Sequence, residues 1–233
     1  MDAPRHAQTR GRAPSRSERL RGAMRPDPTS APAWPIERRR LAAAAKRLLD
    51  VAVALAMGFV LGLPLLAIAL VIKLTSRGPV LYRQERIGRH GQPFWIYKFR
   101  TMRLDAEART GPIWATHNDP RCTAFGRWLR RLSVDELPQL LNVLRGEMSL
   151  VGPRPERPFF VERFARELPD YMDRHAMRPG VTGWAQIHGW RGDTSIEKRL
   201  ECDLHYVRHW SLWLDLLVLL RTPWELVGGR NAY

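Results

Sequence analysis

The stretch RRLSVDELPQLLNVLRGEMSLVGPRP (130–155) sets two carboxylates side by side, Asp135 and Glu136, with Arg130 and Arg131 before them and Arg154 after. An acidic pair in this setting has a purely structural reading. Ser133 and Glu136 have the spacing of a capping box, in which each side chain satisfies the other's backbone donor. Pro138 disfavours that register, because it would be the fifth helical residue and lack an N–H where a hydrogen bond is needed. With Asp135 as the cap, Pro138 becomes the third helical residue, whose N–H has no partner inside the helix in any case. The Asp135 carboxylate then lies at the positive end of the helix dipole, a placement worth about 0.3–1 kcal/mol.

The chemical reading comes from the basic residues around the pair. Lys98 and Arg100 stand in KFR, Arg178 in RPGVTG, Arg191 in GWRGD, and Arg154 between two prolines. Singly, each is an ordinary surface charge. Together with Arg130 they suit a pocket for a diphosphate, since a guanidinium offers paired donors to phosphate oxygens. Carboxylates among arginines also suit a Mg²⁺-bound phosphate, with Asp135 and Glu136 on the metal and the cations on oxygen.

Such a site needs elements to hold it. Residues 51–72, VAVALAMGFVLGLPLLAIALVI, are apolar without interruption, and as a helix they would extend roughly 33 Å, enough to reach across a bilayer core. Both flanks are basic: Arg38, Arg39, Arg40, Lys46 and Arg47 before the run, Lys73, Arg77, Arg83, Arg86 and Arg89 after it. Basic flanks stay cytoplasmic, and a straight spanning helix satisfies only one of them. A re-entrant hairpin satisfies both, and Pro64, with Gly58 and Gly62 before it, supplies the place to turn. The turn would leave the Val60 carbonyl in need of another partner at membrane depth.

Beyond the run, Val80–Gln84 and Phe94–Phe99 are expected as short strands around a glycine-rich turn. Leu137, Leu140, Leu141 and Leu144 have the spacing of one buried helix face that stops at Gly146. Trp210, Trp213 and Trp224 in WSLWLDLLVLLRTPW suit a helix lying at the headgroup level, although a core helix has the same composition. The resulting expectation is a mainly α chain with a small β-hairpin (α+β), monotopic, with a re-entrant helix hairpin and interfacial amphipathic helices. It divides into a disordered basic tail (1–45), the membrane hairpin (46–76) and a catalytic domain on the cytoplasmic face (77–233).

Composition bounds the partners. The formal net charge is +15 over 233 residues, and arginine supplies most of it. Such a surface favours polyanions, whether nucleic acid, anionic lipid headgroups or phosphate-bearing substrates. Residues 1–40 hold ten arginines, four acids and six prolines, too little apolar surface to fold alone. Cys122 and Cys202 make no disulfide or metal pattern, so a reducing compartment is expected. No signal peptide is evident, because the first apolar run starts only at Val51. His205 and His209, four residues apart, have a spacing zinc could use but no third ligand nearby, and a polar helix face explains them equally.

From about Lys46 to Tyr233 the chain resembles the bacterial sugar transferases that act on polyprenyl phosphate, the monotopic phosphoglycosyl transferases. The resemblance rests on KRLLD before the apolar run, then GPVLYRQERIG, IYKFRTM, DELPQLLNVLRGEMSLVGPRP and RPGVTGWAQIHG, in that order. It implies transfer of sugar 1-phosphate from a nucleotide diphosphate sugar to undecaprenyl phosphate, with Mg²⁺, at the cytoplasmic face of the bacterial inner membrane. By the same resemblance Asp135 is the nucleophile of a covalent aspartyl intermediate and Glu136 its acidic neighbour. Many members have Ser-Pro at the membrane bend, where this chain has Leu63-Pro64. The ending GWRGDTSIEKRLECDLHYVRHWSLWLDLLVLL is similar to the branch that begins exopolysaccharides with glucose 1-phosphate; galactose or an N-acetyl amino sugar is the alternative. The expected partners are a UDP-sugar, undecaprenyl phosphate and membrane lipids. A nucleic-acid-binding protein or a membrane adaptor is the competing class, and the first leaves both the apolar run and the acidic pair unexplained.

Overall fold

The computed structural model describes residues 36–104, 106, 111, 113, 119–192 and 194–228. The chain up to residue 35, assigned above to the basic tail, lies outside them.

Helix α1 spans Ile36–Thr75 and takes in residues 36–45, which the composition had grouped with the tail. A hairpin of two helices is expected from the sequence; the structure has one helix, running through Pro64. A proline removes a single N–H, so the hydrogen bonds on either side of it can continue. Near its middle, Ala54 joins a core with Val143, Met148 and Val151; near its end, Ile72 packs with Phe99 and Leu129. Both halves of α1 are thus fastened to the same globular body. Between them Phe59 is 90% exposed and Leu63 80% exposed.

Strands β1 (Leu81–Ile87) and β2 (Pro93–Phe99) form the expected hairpin, longer at the turn than the sequence indicates, with Leu81 opposite Phe99 and Ile87 opposite Pro93. His90 and Gly91 at the turn both have positive φ. Helix α2 (Ala124–Arg131) starts on Thr123, whose hydroxyl accepts from Gly126 N. A 3₁₀ segment (Val134–Gln139) then leads into α3 (Leu140–Arg145), which Gly146 closes in a left-handed conformation. The buried face of this stretch is Leu140 and Val143; Leu141, expected inside, is 44% exposed. The six-residue α3 follows a differently wound segment, so the 3.6-residue spacing counted from Leu137 does not carry through.

A second sheet, absent from the sequence expectation, pairs β3 (Ser149–Val151) in parallel with β4 (Gly180–Thr182). The two cross closely at glycines: a Cβ on Gly180 would stand 2.1 Å from the Gly152 nitrogen. Helix α4 (Pro158–Glu167), a 3₁₀ segment (Tyr171–Ala176) and α5 (Trp184–Ile187) lead to α6 (Ile196–His209) and α7 (Leu212–Gly228). Trp213 and Trp224 on α7 are 71% and 75% exposed, as an interfacial helix requires. Trp210 is not part of that face, because its indole donates to Asp215 Oδ2 at 3.1 Å and packs into the core.

Buried polar ties join α1 to this body. Lys46 Nζ donates to Asp215 Oδ2 (2.7 Å) and to the Val151 carbonyl (3.1 Å). Asp50 Oδ1 accepts from the Ser149 hydroxyl and from Leu150 N, both at 3.0 Å. At the other end Arg100 Nη2 donates to the Ser76 carbonyl and hydroxyl (2.9 and 2.7 Å).

Candidate active site

Asp135 and Glu136 occupy the first turn of the 3₁₀ segment, not the cap of an α-helix. Ser133 precedes them with φ 53° and makes no capping hydrogen bond, so neither register read from the sequence forms. The left-handed turn at Ser133 reverses the chain out of α2, and Pro138 belongs to the tighter winding that follows. The segment packs along β2, which brings Lys98 to the pair.

Glu136 is held on both oxygens. Lys98 Nζ donates to Oε1 at 2.7 Å, Arg154 Nη2 to Oε1 at 2.5 Å and Arg154 Nη1 to Oε2 at 3.1 Å. Burial pushes this carboxyl up, and the Arg154 and Lys98 cations outweigh burial and hold it well below the usual carboxylate range. Asp135 is buried, and among the described residues its carboxylate takes no hydrogen bond. Burial raises its pKa, with the Lys98 charge opposing and Glu136 adding to the rise. The dipole expected to keep Asp135 ionised is therefore not the dominant influence. Neighbouring carboxylates whose environments push their acidities apart are one mark of a reactive site.

These residues line a cavity of about 530 Å³. Lys98, Arg100, Arg130, Arg154 and Arg191 all line it. Arg100 does so while its guanidinium is engaged with Ser76. Arg178 does not line it: its Nε donates to the Gly146 carbonyl at 2.9 Å, at the end of α3. The cavity adds residues not assigned to the site above, namely Tyr82, Gln84, Arg86, Glu156, Arg157 and Arg199. Strand alternation could have found three of them, since Tyr82, Gln84 and Arg86 share one face of β1 and Tyr82 lies opposite Lys98. Arg86 is lowered to about 10 by burial, which Glu156 partly counters.

Profile and sequence comparison can now be set beside this geometry. The profile of the family described as Bacterial sugar transferase matches residues 41–229. The chain belongs to that family. A UDP-glucose:undecaprenyl-phosphate glucose-1-phosphate transferase of Xanthomonas campestris pv. campestris is 46% identical over 173 residues, 72% of this chain and 36% of the relative. One of Caulobacter vibrioides is 46% identical over 194 residues, 81% of this chain and 72% of the relative. A UDP-N-acetylgalactosamine-undecaprenyl-phosphate N-acetylgalactosaminephosphotransferase of Aeromonas hydrophila is 46% identical over 170 residues, 72% of this chain and 40% of the relative. The chain thus spans well under half the length of several of the curated relatives it matches.

Asp135 and Glu136 differ in fitness for a metal. An ionised carboxylate has about four acceptor positions. Among the described residues, three donors occupy Glu136 and none occupies Asp135, which lines the cavity. An oxygen-seeking cation such as Mg²⁺, which binds through one or two carboxylates plus substrate phosphates, fits Asp135 first.

The same acidities predict a pH effect on stability. A carboxyl whose folded pKa is depressed stabilises the fold above its unfolded pKa, about 4.3 for glutamate, and that contribution is lost as pH falls through the lower folded value. Denaturation midpoints from pH 7 to 3 should therefore fall less steeply in Arg154→Ala than in the parent below about pH 4.3. Parallel curves would show that Arg154 does not hold Glu136 ionised.

Proposed function

We propose that this chain transfers sugar 1-phosphate from a UDP-sugar to undecaprenyl phosphate at the cytoplasmic face of the bacterial inner membrane, through a covalent aspartyl intermediate. The observation that carries the reading is Asp135: a buried carboxylate that takes no hydrogen bond from the described residues and lines a cavity rich in arginines. An Asp135 oxygen attacks the phosphorus that bears the sugar, the bond to the bridging oxygen breaks, and UMP leaves with that oxygen. An oxygen of undecaprenyl phosphate then attacks the same phosphorus, frees the Asp135 carboxylate and yields the lipid diphosphate sugar. Dividing one transfer into two displacements is the use of a covalent nucleophile.

Burial makes Asp135 more basic than a solvated carboxylate, and Lys98 nearby favours its ionised form. Glu136 fixes Lys98 and Arg154 at the edge of the reacting centre. Arg86, Arg154, Arg157 and Arg191 offer donors for the charge that gathers on the departing UMP. Mg²⁺, held by Asp135 with Glu136 adjoining, would neutralise charge on the diphosphate. The test is release of about one equivalent of UMP per site before any acceptor lipid is supplied; UMP appearing only with acceptor would favour direct attack by the lipid. Relatives named for glucose and for N-acetylgalactosamine are both 46% identical, so glucose 1-phosphate, favoured by the ending of the chain, is tested by competition between the two UDP-sugars.

The membrane arrangement is part of the proposal. Attachment of both halves of α1 to one body supports a re-entrant course, with Phe59, Leu63 and Leu66 at the deepest point and α7 lying at the surface. Labels placed before Lys46 and after Gly228 should both react from the cytoplasmic side only. One label protected and the other exposed would make α1 a spanning helix.

A further inference from the structure

A buried ion pair is weak evidence for stability, because apolar residues of similar volume often serve as well or better. Arg174 and Asp203 form such a pair at 2% and 1% exposure, outside the reacting centre. Arg174 Nε and Nη2 both donate to Asp203 Oδ2, at 2.9 and 2.6 Å, and Nη1 donates to the Tyr171 hydroxyl at 3.2 Å. Nη2 makes one further bond, to the main-chain carbonyl of Arg154 at 2.7 Å.

That carbonyl belongs to a segment held at nearly every residue. The Val151 carbonyl accepts from Tyr206 (3.0 Å) and Lys46. Gly180 N donates to the Pro153 carbonyl at 3.0 Å. Arg86 Nη1 donates to the Pro155 carbonyl at 3.0 Å, and Arg199 Nη1 donates to Glu156 Oε1 at 2.7 Å. Pro153 and Pro155 fix their own φ, and a residue before proline is confined to extended backbone. Arg154 therefore keeps one looser torsion, the rotation about its N–Cα bond, and that rotation carries the Arg154 carbonyl with it. Arg174 fixes it.

Helix α6 is the frame for these contacts. Arg199, Asp203 and Tyr206 are four and three residues apart, on one face of that helix. Tyr206 reaches Val151, Asp203 reaches Arg154 through Arg174, and Arg199 reaches Glu156. Arg199 Nη2 also donates to the Gly192 carbonyl, in the loop that carries Arg191 into the cavity.

We infer that Arg174, held by Asp203, is a positioning residue: it sets the backbone at Arg154 so that the guanidinium fork meets Glu136 at the reacting centre. The inference rests on the function proposed above. Its test replaces the pair with Arg174→Met and Asp203→Leu together, in the full chain in vesicles containing undecaprenyl phosphate. A misplacement of about 1 Å at a reacting centre costs about 10²-fold. The paired variant should fold, with kcat for transfer down roughly 10- to 100-fold and KM for the UDP-sugar changed less than about threefold. In an Arg154→Ala background the same replacement should cost nothing more, because interacting residues are not additive. Full kcat in the paired variant, or an equal loss in the Arg154→Ala background, overturns the inference.

If the paired variant does not fold, Arg174→Lys keeps the charge on Asp203 but loses the fork. The same cycle then applies, with roughly a tenfold loss expected in place of the larger one. Amide exchange at Gly152, Arg154 and Glu156 gives a reading independent of turnover. Faster exchange in the variant supports the inference, and unchanged exchange overturns it. Absence of turnover in the parent with every UDP-sugar would count against the proposed function, while the exchange result would still decide the positioning role.

Discussion

Asparagine at Asp135 should leave a folded, membrane-bound protein that releases no UMP from a UDP-sugar. The substitution keeps the size of a buried side chain and removes only its charge. The parent carboxylate accepts no hydrogen bond from the described residues, so none of their donors loses a partner, and the cavity is open to the new amide. Burial disfavours the ionised form of Asp135, so its loss should leave the unfolding midpoint at pH 7 unchanged or slightly higher. The rate should fall by roughly 10⁴-fold or more, the scale seen when a nucleophile that works as part of a unit is removed. UMP quantification and intact mass of the protein after incubation with UDP-sugar measure this, the parent gaining a phosphosugar adduct and the variant none. Near-normal turnover in Asp135→Asn would return Asp135 to a structural role.

The second large effect is expected at Arg154. Alanine there removes two of the three hydrogen bonds to Glu136 and leaves Lys98 as its remaining partner. The lost stability should be about 2 kcal/mol, below the 3–5 typical of a fully buried pair, because the Arg154 side chain is partly open to the cavity. Transfer should slow about 100-fold, since Glu136 and Lys98 lose their common anchor beside the nucleophile. Lysine at the same position restores the charge but not the paired donors, so about a tenfold deficit should remain. Turnover of Arg154→Ala within threefold of the parent would remove this side chain from the site.

The sequence exposes some of this architecture readily and hides the rest for identifiable reasons. Strand alternation around a glycine turn announces the β1–β2 hairpin, and unbroken apolarity announces α1. The acidic pair was legible as a site because arginines surround it, but its local geometry was not. Both capping registers assume an α-helix from Ser133 or Asp135, whereas Ser133 takes a left-handed conformation and the next six residues wind as a 3₁₀ segment. Arg178 shares a motif with residues that shape the site, yet it points to the end of α3, and no pattern in one chain gives that direction. The parallel pair of β3 and β4 consists of three-residue strands far apart in sequence, too short for periodicity. The polar face of α6 was hidden for another reason: Arg199 and Asp203 are residue types expected in solvent, and only tertiary pairing shows them inside.

The ties between α1 and the body bear on how the protein can be divided. A fragment beginning after residue 76 would leave Asp215 without its buried cation, with Tyr206 and Trp210 as its remaining donors, and would take from the Ser149 hydroxyl, the Leu150 amide and Arg100 Nη2 their partners at Asp50 and Ser76. Each stranded buried group costs about 1–3 kcal/mol, and charged ones cost more, so the loss together approaches the whole stability of a domain of this size. Anchor and enzyme are therefore not separable modules, and trimming the apolar helix is a poor route to a water-soluble catalyst. A soluble form is better sought by recolouring the outward side chains of α1, Phe59, Val60, Leu63 and Leu66, with polar ones, leaving Lys46, Asp50 and Ser76 where they are.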